Sequence, residues 1–167
     1  GLISQSEGSI YYNGENILKL GSDFIGKIGY LPQYPRFYKN FTAKEFLRYT
    51  CIMKGVKKDI IDKRVSEMLE MVNLQDNVNQ FIGQFSGGMR QRLGIAQAMI
   101  NDPEILLLDE PTAGLDPKER IRFRNLIYSF SEKRIVILAT HIVSDVEFQA
   151  KEILLIKNGR LIADSSP

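Results

Sequence analysis

Phe85-Ser86-Gly87-Gly88-Met89-Arg90-Gln91-Arg92, followed one helix later by Ile105-Leu106-Leu107-Leu108-Asp109-Glu110-Pro111, decides how this chain reads. Ser86 is a preferred helix N-cap, and Met89, Leu93, Ala96 and Ile100 behind it form one helical stripe that Asp102-Pro103 ends. Gly87 and Gly88 place backbone without side chains at that helix's N-terminus, where unpaired N–H groups and the positive dipole end suit a phosphate. The second stretch is an apolar run of strand length that delivers two carboxylates, Asp109 and Glu110, to its C-terminal end. Open α/β sheets place their ligands at that edge.

Outward from this pair, strand and helix signals alternate. Ser9 to Tyr12 reads as a short strand closed by the turn Asn13-Gly14, and Lys27 to Leu31 as a second strand stopped by Pro32. Thr42 opens a helix, with Glu45 completing a capping box and Gly55 as terminator. From Lys58 to Val72, Ile61, Val65, Met68, Leu69 and Val72 recur at helical spacing, and the charged residues among them form a solvated face. Beyond Asp109 the pattern predicts a helix over 117–130, a strand over 134–139, a helix over 144–150 and a strand over 152–156. A turn through Asn158-Gly159 then predicts a hairpin with 161–163 at the sheet's end. Apolar runs such as Ile105 to Leu108 and Ile135 to Leu138 suit strands buried on both faces of a parallel sheet, so the expected class is α/β.

Composition narrows the partners. With 167 residues, 44% hydrophobic and 25% charged, the chain has the make-up and length of one globular domain. Its formal net charge of +2 is too small for a nucleic-acid or anionic-membrane footprint, so no nucleic-acid partner is expected. The single cysteine, Cys51, has no intramolecular partner and sits among helix residues, which predicts a packed thiol. The longest apolar run is far below the roughly 20 residues that cross a bilayer, so any membrane the protein serves is spanned by another chain.

Taken together, the segments Phe85 to Arg92 and Ile105 to Pro111 resemble the signature and Walker B motifs of ABC transporter nucleotide-binding subunits. Smaller matches follow in family order: Gln33 after the strand 27–31, Leu115-Asp116 after Walker B, and His141 in Ala139-Thr140-His141. The resemblance covers the whole chain, about the C-terminal three quarters of such a cassette. It implies a P-loop NTPase-type, mostly parallel sheet core (1–34 and 101–167) with an inserted helical subdomain over about 35–100, in one partial domain spanning 1–167.

That resemblance also implies ATP and Mg²⁺ as cofactors, with roles assigned residue by residue. Asp109 helps hold Mg²⁺ through water, and Glu110 orients or deprotonates the attacking water, as phosphoryl transfer requires. Gln33 is the Q-loop glutamine that contacts Mg²⁺ and water; by itself it is a polar loop residue. His141, the only histidine, is the H-loop switch residue reaching the γ-phosphate, where a bare sequence suggests a structural hydrogen-bonder. Ser86, Gly87, Gly88 and Met89 contact nucleotide bound to a second subunit. Asp116 is the D-loop aspartate that crosses between subunits, and it reads equally as the cap before Pro117.

By the same likeness the partners are transmembrane permease subunits and a second ATP-binding subunit, at the cytoplasmic face of the cell membrane. Drug and antimicrobial-peptide exporters are the most similar branch. Exposed residues around Tyr34 to Phe41 and Phe46 are expected at the membrane-subunit contact. One rival is a soluble ABC ATPase acting on ribosomes or DNA, disfavoured by the short interval between Gln33 and Ser86 and the small basic surplus; a second is a non-catalytic binding fragment.

Two departures bear on activity. Phe85 and Met89 flank the signature where leucine and glutamine are common, which removes one side-chain amide and leaves the backbone cradle. The sequence also contains no G-x-x-x-x-G-K-[ST] loop, whose backbone and lysine hold the β- and γ-phosphates. Gly1-Leu2-Ile3-Ser4 runs into the first strand without a methionine, so the chain reads as one entered partway through. The expectation is feeble ATP binding by this chain alone, and an incomplete sheet with exposed ladder groups.

Overall fold

The computed structural model describes residues 5–147 and 150–165. Tyr11–Tyr12 (β1) and Glu15–Asn16 (β2) pair antiparallel around Asn13-Gly14, whose φ values of 49° and 80° are those of the tight hairpin turn this dipeptide favours. Asn16 then caps a helix the sequence pattern did not disclose, Ile17–Gly26 (α1), by accepting from Leu18 N at 2.9 Å. Gly21 interrupts α1 with φ 53° and none of its residues is buried, which is why no apolar stripe announced it.

The central sheet is Ile28–Leu31 (β3), Ile105–Asp109 (β4) and Ile135–Ala139 (β5), parallel throughout in the order β3-β4-β5. Between β3 and β4 run the helices Ala43–Met53 (α2), Ile61–Met71 (α3) and Gly87–Met99 (α4); between β4 and β5 runs Pro117–Ser131 (α5). The expected capping box is formed: Glu45 N donates to Thr42 Oγ1 at 3.2 Å, and Thr42 N donates to Glu45 Oε2 at 2.8 Å. Leu47, Cys51, Met68, Leu69, Leu93, Ile95 and Leu106 are among the side chains of one continuous buried cluster joining α2, α3 and α4 to the sheet. Cys51 is fully buried, as its neighbours indicated, and burial pushes its thiol pKa up. Gly29 lets α4 lie directly on β3, because a Cβ there would stand 2.4 Å from the Ala98 carbonyl oxygen.

Four expectations need correction. β5 is not buried on both faces: Ile135 and Ile137 are exposed at 55% and 53%, since only the face bearing Val136 and Leu138 meets the core. Ile153–Lys157 (β6) and Arg160–Ser165 (β7) form a hairpin, but as a separate two-stranded sheet rather than at the end of the central one. The helix expected over 144–150 is, in the described residues, a 3₁₀ turn at Val143–Asp145 followed by turn residues; Phe148 and Gln149 lie outside the described residues. Phe46 is buried at 4%, edge-on to Phe37 at 5.1 Å, and so presents no surface.

Candidate functional site

Parallel pairing sends the three strand ends to one edge. Leu31 is in register with Leu108, Leu108 with Leu138, and Asp109 with Ala139, so Gln33, Asp109-Glu110 and His141 all leave the sheet at its C-terminal side. The structure brings Glu110 and His141 into contact. Glu110 N donates to Ala139 O at 2.8 Å, which draws the ends of β4 and β5 together, and Glu110 sits at φ 45°, an uncommon conformation for a non-glycine residue.

Its carboxylate is held at both oxygens. His141 Nδ1 lies 2.6 Å from Oε1, His141 N donates to Oε1 at 3.1 Å, and Thr140 Oγ1 donates to Oε2 at 3.2 Å. Desolvation pushes the Glu110 pKa up, but the hydrogen bonds and charge of His141, with the Thr140 hydroxyl, outweigh it and leave the carboxyl below the ordinary glutamate range. An ionised carboxylate only accepts, so the proton in the His141 contact is on Nδ1. A neutral His141 therefore offers Nε2 as an acceptor, and becomes a donor there when protonated.

Asp109 is half-buried, and among the described residues no hydrogen bond reaches its side chain. Gln33 is half-buried two residues beyond β3, and among the described residues no hydrogen bond joins its side chain to Asp109 or Glu110. The oxygen donors at this edge suit Mg²⁺, a hard cation that keeps several waters and is shared with phosphates. Among the described residues no cluster of three or more acidic, His or Cys side chains encloses a metal, so the fit is to a partly hydrated ion.

Ser86 caps α4 as its type predicts, its Oγ accepting from Met89 N at 3.2 Å, so the Met89 amide is already engaged. The Gly87 and Gly88 amides have no acceptor among the described residues, and nothing stands within 4 Å of the position a Gly87 Cβ would take. Gly88 is more confined, since a Cβ would meet Glu119 Oε2 at 2.9 Å. Arg92 and Arg122 approach that same Glu119 carboxylate at 3.8 and 3.1 Å. The open amides fit an anion at the helix N-terminus, and Arg92 and Arg122 offset the negative charge that Glu119 brings beside Gly88. Asp116 caps α5, accepting from Glu119 N at 2.9 Å, so the structure uses it in the local role the sequence left open.

One stretch invites comparison with a phosphate-binding loop. Gly21 to Ile28 carries glycines and lysine at loop spacing, but Ile28 replaces the hydroxyl residue. Lys27 pairs with Glu104 and leads into a strand instead of a helix, so this is not such a loop. A cleft of about 530 Å³, lined by Gly26, Lys54, Ile60, Arg64 and Asn101 among others, lies by the C-terminal end of α4 and contains none of the motif residues. Sequence reasoning also missed Thr112 and Asp145, which bond each other in the interior. A buried threonine and aspartate 33 residues apart carry no local signal.

A parallel sheet with two carboxylates at its C-terminal edge, joined to a helix that opens on Ser-Gly-Gly, defines an α/β domain with its ligand edge at the strand ends. The family model described as ABC transporter matches residues 1–113, and the chain belongs to that family. It is 40% identical over 167 residues to the bacitracin transport ATP-binding protein BcrA of Bacillus licheniformis, covering 98% of this chain and 53% of that protein. It is 39% identical over 161 residues to the uncharacterized ABC transporter ATP-binding protein YxlF of Bacillus subtilis, covering 96% and 53%. With a Nod factor export ATP-binding protein I of Cupriavidus pinatubonensis the identity is 33%, covering 100% and 52%. A solved structure of an ATP-binding subunit of an ABC transporter superposes with a TM-score of 0.83 at 26% identity, covering 99% of this chain and 70% of that one. The chain spans about half the length of the curated relatives it matches.

Proposed function

We propose that this chain is the catalytic-edge and signature portion of an ATP-hydrolysing subunit that drives export through transmembrane permease subunits. The single observation that carries it is the Glu110–His141 pair at the C-terminal edge of a parallel sheet. Export is supported by relatives whose names specify bacitracin transport and Nod factor export. No helix among the described residues is long and apolar enough to cross a membrane, so the proposal gives that task to partner subunits and places this one at the membrane's cytoplasmic face.

When bound, Mg²⁺·ATP supplies the phosphoryl group and the cation that shields its charge. Ser86, Gly87 and Gly88, with Met89 beside them, bind phosphate carried by a second subunit through their open amides and the Ser86 hydroxyl. Asp109, whose side chain takes part in no hydrogen bond among the described residues, would hold the hydrated cation together with Gln33. Glu110 is ionised and oriented by Thr140 and His141, so it aligns a water and accepts its proton. His141 offers Nε2 toward the phosphate, and Asp116 contributes at the subunit boundary. Residues 35–100 are proposed as the helical subdomain, with exposed Tyr34 and Tyr38 meeting the permease.

Both half-sites lie outside the large cleft, which suits surfaces completed by a second chain. The test pairs two measurements. The purified 167-residue chain, lacking a phosphate loop, is expected to bind ATP feebly and turn it over negligibly. A dimer in which a G-x-x-x-x-G-K-[ST] loop is present is expected to hydrolyse ATP and to depend on Glu110. Appreciable turnover by the chain alone, or a loop-bearing dimer without turnover, overturns the reading.

A further inference from the structure

Among the described residues, the buried polar side chains are Thr50, Gln91, Thr112 and Asp145. Thr50 serves its own helix, donating to Phe46 O at 2.9 Å. Thr112 and Asp145, exposed at only 1% and 4%, instead bond each other, the Thr112 hydroxyl donating to Asp145 Oδ2. That bond joins the turn after Glu110 to the turn after His141. The other ties on this segment are less sheltered: Thr140 donates to Glu110 at a part-buried site, Arg124 donates to the Ser144 carbonyl at an exposed one, and the His141 side chain is 77% exposed.

Packing alone does not account for an aspartate here. Asp145 Oδ1 is buried with no partner among the described residues, and a thinly compensated buried carboxylate is costlier than an apolar residue of similar size. Water competes with the exposed ties on His141, whereas the Thr112–Asp145 bond is shielded from it.

We infer that Thr112 and Asp145 are positioning residues, a buried latch that holds segment 140–145 against the turn at 110–112 so that His141 Nδ1 faces Glu110 Oε1. The latch touches no ligand; it acts through the pair and sets which imidazole nitrogen carries the proton. It rests on the reading of Glu110 and His141 as the reacting pair, but its test needs no nucleotide.

His141 is the only histidine, so the imidazole ¹⁵N signals of the 167-residue chain assign themselves. At a pH where the ring is neutral, the wild-type chain is expected to show predominantly the Nδ1–H tautomer. Thr112→Val is expected to shift the tautomer ratio at least several-fold toward the Nε2–H form that an unconstrained imidazole prefers, and Thr112→Ser to restore it. Asp145→Asn, which keeps an acceptor, should shift the ratio less in the same direction and serves if the valine variant fails to fold by circular dichroism. A ratio unchanged in every folded variant, even with a lowered melting temperature, overturns the latch and leaves the ATP reading standing. A ratio that responds as expected, alongside hydrolysis by the loop-bearing dimer that is insensitive to Glu110→Gln, upholds the latch and overturns the ATP reading.

Discussion

Glu110 concentrates the chemistry of this chain in one residue. Its backbone is held at φ 45° by the bond to Ala139 O, and its carboxylate is held by Thr140 and His141. A fixed anion beside an imidazole can align and deprotonate a water, and general-base assistance of this kind is worth roughly 10²–10⁴ in rate. Glu110→Gln keeps the side chain's shape and removes its capacity to accept a proton. In a loop-bearing dimer it is expected to lower the rate of ATP hydrolysis by about 10²-fold or more while ATP binding, followed by equilibrium dialysis, persists. The two carboxylates and the lone histidine could be picked out from their places at strand ends. Their contact could not, because it depends on β5 pairing in register beside β4.

At the scale of elements, the cap of α2 gives a pH prediction whose sign follows from Glu45. Hydrogen bonds from the Thr42 backbone and then its hydroxyl hold the Glu45 carboxyl below its ordinary range. A carboxyl with a lowered folded-state pKa stabilises the fold above its unfolded value, and that contribution disappears as pH falls through the folded-state value. Wild type is therefore expected to lose stability relative to Glu45→Gln on acidification below the normal glutamate range, and to match it more closely at the acid end; urea unfolding across that window checks this. Gly29→Ala tests the contact of α4 with β3. Its Cβ would press on the Ala98 carbonyl, and an overpacked site of this kind is expected to cost about 1–3 kcal/mol, read as a shift in denaturation midpoint. The box Thr42 to Glu45 was visible in sequence because capping is local; the helix at 17–26 was not, because Gly21 breaks its period and no residue of it is buried.

Across the whole molecule, one face of the central sheet is covered far more completely than the other. Gly29, Leu106 and Val136 share the covered face, where Gly29 abuts α4, while Tyr30 and Ile137 stand exposed in register with Leu107 on the other. Exposed apolar sheet surface promotes self-association. Ile137→Lys is accordingly expected to reduce concentration-dependent light scattering of the 167-residue chain without lowering its unfolding midpoint by more than about 0.5 kcal/mol, the usual range for surface changes.

What the sequence determined by itself was whatever rests on neighbours in the chain. Ser86 and Thr42 act as caps, the Asn13-Gly14 and Asn158-Gly159 turns close hairpins, and β4 ends in Asp109 and Glu110, all through interactions spanning a few residues. Tertiary structure alone decided the rest: the proton-bearing contact of Glu110 with His141, the buried Thr112–Asp145 bond, and the single-sided burial of β5. Each of these joins residues about 30 apart or sets one element against another, and such meetings are fixed by strand register and packing, which no local spacing encodes.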